Sequence, residues 1–369
     1  MSVPNFNNLT VSEIKDWSKN NNFKIPSGLI KSDIIQYLTG LITERNANII
    51  KDGKFGTSSL SILHPQYADP SIPWLEHLHT YGWASLPING WKDEFTDMFF
   101  SWLESFCPNF KKDDQTTWKS ANLPIMSNSI LQYYFAHTEL AWQIRELCAP
   151  IFAEIWNIAT DDLLCSYDGG CFMPADDQKK TTFKNWIHVD QPRDMRGFVC
   201  IQSICNFQTN GPEDGGLVLL EKSHDAFNDY MDKYPSEGIV WGPSNINDPL
   251  LVNRKYLKIC AEAGSMILFD SRTFHCNVQP TGSSLQNDGT PRFRMCTYVS
   301  MQPRSGATAK ELAKHISMYE KGRGSGHWTY GKYFKELGEN PNTYGKEHNR
   351  PVIIEIAALN PLRSRLIGY

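Results

Sequence analysis

The sequence predicts an α+β protein that is mainly β: a jelly-roll or sandwich core, a flank of helices, and a small N-terminal helical hairpin. Three observations carry this. Between about residues 160 and 302, short apolar and β-branched runs alternate with clusters of Gly, Pro, Asn and Asp, the pattern of many short strands joined by turns. Two long stretches with apolar residues at helical spacing lie ahead of them, so helices concentrate before the strands and flank the β core. No internal repeat is visible, which excludes solenoids and propellers.

Composition sets the outer limits. The 369 residues, 41% hydrophobic and 21% charged, suffice for one large globular domain plus a small one. Thirty-six basic against 40 acidic residues give a net charge of −4, so no global field recommends a polyanionic partner. The nine cysteines (107, 148, 165, 171, 200, 205, 260, 276, 296) are odd in number and scattered, with no Cys-x-x-Cys pair. That usage argues against a disulfide framework and a structural zinc site, and suits a reducing compartment. The first residues, Met1 to Asn8, lack a charged region followed by an apolar stretch, and no apolar run reaches membrane-spanning length. The expectation is an intracellular protein, cytoplasmic or nuclear, with no membrane partner.

In chain order, residues 9 to 45 form a self-contained pattern. Thr10 or Ser12 caps a first helix with Val11, Ile14 and Trp17 on one face,. After Asn20-Asn21-Asn22 and the turn Pro26-Ser27-Gly28, Ser27 or Ser32 caps a second helix with the stripe Leu29, Ile30, Ile34, Ile35, Leu38. Residues 46 to 72 are rich in Gly, Ser, Asn and Lys and read as a linker, placing a boundary near residue 56 between units 1–56 and 57–369,. Trp74 to Ala84 predicts a helix followed by a strand. Helices follow at 91–106 (Phe95, Met98, Phe99, Trp102, Leu103, Phe106) and 138–158 (Leu140, Trp142, Ile144, Leu147, Ile151, Phe152, Ile155), their stripes being core faces. Strands begin at Asp162–Asp168. A Gly, Pro, Asp and Lys loop from 169 to 184 is expected to rim the site, and β-rich runs follow at 197–207 and 217–220 around the turn cluster 209–216. A polar insertion spans about 225–255, an apolar strand runs from Gly264 towards His275, a loop occupies 281–290, and a further strand covers 292–301. The C-terminal segment from about 303 holds Trp328, Tyr330, Tyr333 and Phe334, expected to form a lid, and Pro351 to Ile356 reads as a last strand.

The chemistry centres on His188 and Asp190 in Asn185-Trp186-Ile187-His188-Val189-Asp190-Gln191. Residues two apart on a strand share a face, so the pair can reach one metal ion. The best third ligand is His275, at the end of the apolar stretch that starts at Gly264. Two imidazoles and a carboxylate on one face of an octahedron form the arrangement of non-haem Fe(II) oxygenases. His224 is a weaker candidate, expected to hold a turn. His77 and His79, two apart on a predicted helix, face different ways. Trp186 is assigned to packing, and Gln191 is left between packing and a substrate contact.

Taken together, residues 160 to 302 resemble the phytanoyl-CoA dioxygenase family of Fe(II)- and 2-oxoglutarate-dependent oxygenases. The resemblance rests on Trp186 to Asp190, Ile201 to Phe207, Asp214 to Leu220 with Ser223-His224, and Gly264 to His275 with the Arg-bearing strand after it. Glu221-Lys222 stands where the family has a Pro-Gly turn. The family implies a double-stranded β-helix of the cupin-like type, with His188, Asp190 and His275 as ligands of Fe(II). It also implies Arg294, with Asn277, as partners of the distal carboxylate of 2-oxoglutarate; Arg292 has the same strand parity and is the rival. A planar guanidinium suits two-pronged recognition of a carboxylate. The implied reaction consumes O2, decarboxylates 2-oxoglutarate to succinate and CO2, and hydroxylates a substrate C–H bond. The carboxylate of Asp190 favours hydroxylation, since halogenases on this scaffold carry a small residue there. Residues 9 to 45 resemble the SAP motif, a helix-bend-helix module associated with DNA binding, through Leu9 to Lys15, Ile25 to Leu29 and Lys31 to Ile35. That implies a DNA or RNA partner, though residues 1 to 54 carry a surplus of only two positive charges,.

Overall fold

The computed structural model describes residues 6–20, 24–25, 29–35, 38, 63–126, 130–175, 187–234, 244–245, 247–280, 283–342, 349–351 and 354–369. The turn at 26–28, the boundary near 56, Trp186 and residues 176–184 of the expected 169–184 loop lie outside the described residues, and the loop expectation fails at its start, where Gly170–Pro174 is a strand.

Helix α1 (Val11–Asn20) starts at a reciprocal cap. The Glu13 amide donates to Thr10 Oγ1 (3.3 Å), while the Glu13 carboxylate accepts from the Thr10 amide (2.7 Å) and hydroxyl (2.8 Å), satisfying donors that the first helical turn leaves open. Thr10 is therefore the cap and Ser12 lies inside the helix. Residues 31–35 are also helical, so Ser32 sits within that turn and does not cap it. Phe6, Ile14, Ile34 and Leu38 form a small apolar core with Leu9, Trp17, Leu29 and Ile35 packed around it.

The strands are β1 (Leu63–Gln66), β2 (Trp83–Pro87), β3 (Ile130–Leu131), β4 (Leu163–Cys165), β5 (Gly170–Pro174), β6 (Ile201–Asn206), β7 (Gly216–Leu220), β8 (Tyr256–Ile259), β9 (Ser265–Asp270), β10 (His275–Val278) and β11 (Phe293–Pro303). They form two sheets. The larger has the order β2-β9-β6-β11-β5-β3, with β4 also on β11, and the smaller has the order β1-β8-β7-β10. From β5 onward the chain passes repeatedly between them, with β5, β6, β9 and β11 in the larger sheet and β7, β8 and β10 in the smaller. Strand β1 corrects the linker expectation for the described end of 46–72, at residues 63–66: it pairs in parallel with β8 at the sheet edge. Its Leu-His-Pro-Gln sequence has no apolar alternation, and only an edge position tolerates its proline.

Both sheets are covered outside and packed inside. Helices α2 (Trp74–Tyr81), α3 (Glu94–Glu104) and α4 (Glu139–Trp156) supply much of the largest core. There Phe95, Phe99, Trp142 and Phe152 meet Phe172, Ile201, Leu268 and Val299 of the larger sheet. Between the sheets lie Met173, Ile204, Leu217, Leu219, Leu257, Ile259, Ile267 and Phe269. A third core covers the smaller sheet, with Val218, Leu220, Phe274 and Cys276 packed under Phe227, Tyr230 and Leu251. The 225–255 stretch is therefore more than a polar insertion. It contains α5 (Phe227–Lys233), whose Phe227 is fully buried, worth about 1.5–3 kcal/mol of apolar burial. Strand β7 is apolar at every side-chain-bearing position because alternate residues enter different cores, 217 and 219 between the sheets and 218 and 220 outside.

The C-terminal segment carries two helices, one on either side of the stretches expected to form a lid and a strand. Helix α6 (Ala309–Glu320) carries a Thr308–Glu311 capping box. Helix α7 (Pro361–Ile367) docks on α4 through buried Arg363, which donates to Glu139 (2.7 and 2.7 Å) and Glu146 (3.2 and 3.0 Å). Residues 354–356 form no strand, and Ile354 and Ile356 stay exposed; β-branched residues make a strand only where a sheet edge receives them. All nine cysteines are free and buried. No helix among the described residues is long and apolar enough to cross a membrane.

Candidate metal centre

Strand alternation aims the site. Ile187 and Val189 are buried in the outer core over the smaller sheet, which turns His188 between them towards the inside. In the same way Phe274 and Cys276 face outward, leaving His275 and Asn277 on the inner side. His188 and His275 then face each other directly. Each amide donates to the other's carbonyl at 2.9 Å, the close hydrogen-bonded pair of an antiparallel ladder, and their rings lie 4.6 Å apart. Asp190 arrives differently from the expectation of a continuing strand. The chain bends after Val189, with the amides of Asp190 (3.2 Å) and Gln191 (2.9 Å) both donating to the Ser271 carbonyl, and the carboxylate comes back between the imidazoles.

The resulting geometry suits a cation. Nε2 of His188 is 3.4 Å from Asp190 Oδ1, and Nε2 of His275 is 3.4 Å from Oδ2. One ligand atom from each of the three residues lies within 4.8 Å of the others, making this the one metal-binding group of His, Cys, Asp and Glu among the described residues. Neighbouring ligands of a single ion at metal–nitrogen distances near 2.1 Å stand about 3 Å apart, close to the spacing seen. Nδ1 of His275 is engaged by the Thr273 carbonyl at 2.8 Å, which fixes that nitrogen as the N–H and turns the Nε2 lone pair to the centre. All three residues are buried, and Asp190 Oδ1 has no hydrogen-bond partner. Burial alone would raise the Asp190 carboxyl, but the His275 and His188 imidazoles outweigh it and hold it well below the usual carboxylate range. A buried, charged carboxylate with an orphaned oxygen between two imidazoles fits a bound metal ion.

Further inside, Arg294 donates from Nη1 to Asn277 Oδ1 at 2.7 Å and is 3% exposed. Burial opposes its charge, yet Cys296, Tyr298 and Cys171 around it outweigh burial and keep the guanidinium protonated. Arg292, before β11 begins, is instead paired with Asp214 (2.8 Å) and Glu213 (2.9 Å). Sequence reasoning missed four neighbouring features. Arg294 Nε, Gln202 Nε2 and Asn206 Nδ2 are buried without hydrogen-bond partners, and Tyr298 Oη has only the weakly bonding Cys171 and Cys296 thiols beside it. By strand parity with Cys296 on β11 and Ile204 on β6, all four side chains face the space between the sheets,. Each unpaired buried polar group costs about 1–3 kcal/mol, so this interior fits a ligand rich in acceptor oxygens, as a 2-oxo dicarboxylate is.

The other candidates fall outside. His224 sits in a one-turn helix with Nε2 on the His79 carbonyl at 3.2 Å. His77 bonds the Trp83 carbonyl through Nδ1 at 2.6 Å. Gln191 is structural: it donates to the carbonyls of Met195 (3.0 Å) and Gly197 (3.1 Å) and accepts from Ser271 (2.8 Å).

No known family profile matches the chain. Ava biosynthesis cluster protein O of Aspergillus versicolor is 28% identical over 295 residues, covering 69% of this chain and 90% of that protein. Similar solved structures include the epimerase SnoN in complex with Fe3+, alpha ketoglutarate and nogalamycin RO (10% identity, TM-score 0.43, 62% of this chain and 82% of that one). Another is EvdMO1 (11% identity, TM-score 0.39, 62% of this chain), of which the chain spans about half, 49%.

Proposed function

We propose that the chain is an Fe(II)- and 2-oxoglutarate-dependent oxygenase of the phytanoyl-CoA dioxygenase type that hydroxylates a C–H bond of a small molecule. The observation that carries this reading is the buried group His188, Asp190 and His275, with Arg294 and Asn277 on the same inner side. The passage of successive strands between two sheets supports a double-stranded β-helix. The relative's description as a biosynthesis cluster protein supports a small-molecule substrate.

In this reading His188, Asp190 and His275 hold the metal. Iron and 2-oxoglutarate, when bound, supply the oxidising chemistry: O2 is consumed, 2-oxoglutarate leaves as succinate and CO2, and the substrate gains a hydroxyl. The protein's part is placement. The Thr273 carbonyl keeps His275 in the ligating tautomer. Arg294, oriented by Asn277, offers a fixed planar fork to the distal carboxylate. Gln202 and Asn206 supply further donors that otherwise have no partner, and Tyr298 one that otherwise meets only thiols. Apolar side chains between the sheets keep water from the reacting atoms. The test is succinate formation from 2-oxoglutarate with added Fe(II), together with metal uptake. Both are expected in the wild type and lost in His188→Ala and Asp190→Ala; a chain that takes up no metal and turns over no 2-oxoglutarate overturns the reading.

A further inference from the structure

The C-terminal extension reaches the group His188, Asp190 and His275 through His327. Residues 324–329 are pinned from several directions. The Ser325 amide donates to the Tyr167 carbonyl and the Tyr167 amide to Ser325 Oγ, both at 2.9 Å. The Thr329 amide and hydroxyl donate to Gln302 Oε1 at 3.0 and 2.9 Å, and the Leu337 amide donates to the Gly324 carbonyl at 2.9 Å. Between these anchors lies His327, buried at 8% exposure, with its own carbonyl facing Cys200 Sγ at 3.9 Å. Its ring is hydrogen-bonded to the Asp190 backbone carbonyl and lies within electrostatic reach of His188, Asp190 and His275.

We propose that His327 is a positioning residue of the metal centre, its ring N–H holding the Asp190 carbonyl so that the carboxylate stays aimed between His188 and His275. The need for it follows from the bend. His188 is fixed by two ladder hydrogen bonds to His275, whereas Asp190 lies past the last ladder pair and its amide has only the 3.2 Å contact to Ser271. The peptide that carries the Asp190 carbonyl is held on its N–H side, where Gln191 donates to the same Ser271 oxygen at 2.9 Å; a donor on the carbonyl side holds the plane from both ends, and the carboxylate's aim with it. Partners that orient metal ligands in this way typically change metal affinity by 10–100-fold. The inference rests on the metal reading of His188, Asp190 and His275.

Co(II) titration of the full chain, followed by its visible ligand-field absorption, tests both and separates them. In the wild type a Co(II) spectrum is expected that Asp190→Ala abolishes; its absence overturns the metal reading and this inference with it. Where that spectrum is present, His327→Ala and His327→Phe, which lack the donor, are expected to bind Co(II) about tenfold or more weakly with shifted bands, and His327→Gln, which keeps an N–H, to restore both. Wild-type Co(II) affinity and spectrum in the Ala and Phe variants overturn the inference, whether or not their melting temperatures fall. Failure of Gln to restore binding also overturns it, because the donor is then not what matters.

Discussion

Replacing Arg294 by alanine is expected to cost the protein most of its affinity for 2-oxoglutarate, and the size of the loss follows from where the side chain sits. The guanidinium is 3% exposed, one Nη1 donor is used on Asn277, and Nε has no protein partner. Removing one member of a buried, hydrogen-bonded charge pair costs about 2–5 kcal/mol. Taking about 3 kcal/mol, at 1.4 kcal/mol per factor of ten, the dissociation constant rises on the order of a hundredfold. Arg292 supplies the internal control. Its guanidinium, 10% exposed, is already taken up by Asp214 (13% exposed) and Glu213 (64%), so its loss is expected to cost stability and to change affinity for 2-oxoglutarate less than about fivefold. Arg294→Lys keeps the charge and loses the planar fork, placing it between the two. The assay is calorimetric titration of 2-oxoglutarate into the chain loaded with a redox-inert divalent metal. A loss smaller than about tenfold for Arg294→Ala, or a larger loss for Arg292→Ala, refutes the assignment.

Three further outcomes follow from other parts of the molecule. Asp190→Gly is expected to keep the fold, since no described packing depends on the carboxylate, while weakening metal binding by more than tenfold; circular dichroism with metal titration checks this. His315 is buried against Phe334 with Nε2 on the Thr329 carbonyl, and burial lowers its pKa to about 4. Because that value lies below the unfolded one, the folded chain binds fewer protons between about pH 4 and 6.5 and this residue's contribution to stability falls as pH drops through that window. In denaturant unfolding, the stability difference between wild type and His315→Gln should shift against the wild type by roughly 1.4 kcal/mol per pH unit from pH 6 to 5; parallel curves contradict a neutral His315. In the N-terminal hairpin, proposed as a unit apart from residues 57–369, Ile34 is fully buried. Ile34→Asp should unfold the hairpin and abolish any low-salt retention of DNA by the full chain, leaving metal binding intact; loss of metal binding would show that the two units are one.

How much of this was legible in the sequence depends on whether a feature is written in one strand or made between several. The helices at 94–104 and 139–156 and the strands β6, β7 and β11 were visible because each carries its own period and turn signals. His188 and His275 could be paired because each sits on an apolar strand whose neighbours must face outward. Asp190 could be named, but not how it arrives, since a bend anchored on Ser271 leaves no local sequence mark. Strand β1 was hidden by its proline, and α5 by the polar residues that surround Phe227 and Tyr230. His327 could not be found at all. Nothing in Ser325 to Thr329 distinguishes a ring that reaches Asp190 from an aromatic cluster covering the core, because the contact joins segments distant in sequence.

Gln202 and Asn206 mark the boundary between these cases. They occupy alternate positions in Ile201–Asn206, a strand otherwise made of Ile, Ser and Cys. Periodicity alone puts the two amides on one face with Ile204, but it does not say whether that face meets solvent or the opposing sheet. The larger sheet answers this by burying Ile201 and Cys205 against the helices, which leaves the amides inward. Two inward amide nitrogens without partners would together cost roughly 2–6 kcal/mol, enough to consume much of a domain's net stability. A fold retains such a strand when a ligand or bound water supplies the acceptors. The same argument extends to Arg294 Nε on the neighbouring β11. The polar interior beside His188, Asp190 and His275 is therefore more economically explained by an oxygen-rich co-substrate than by structure alone.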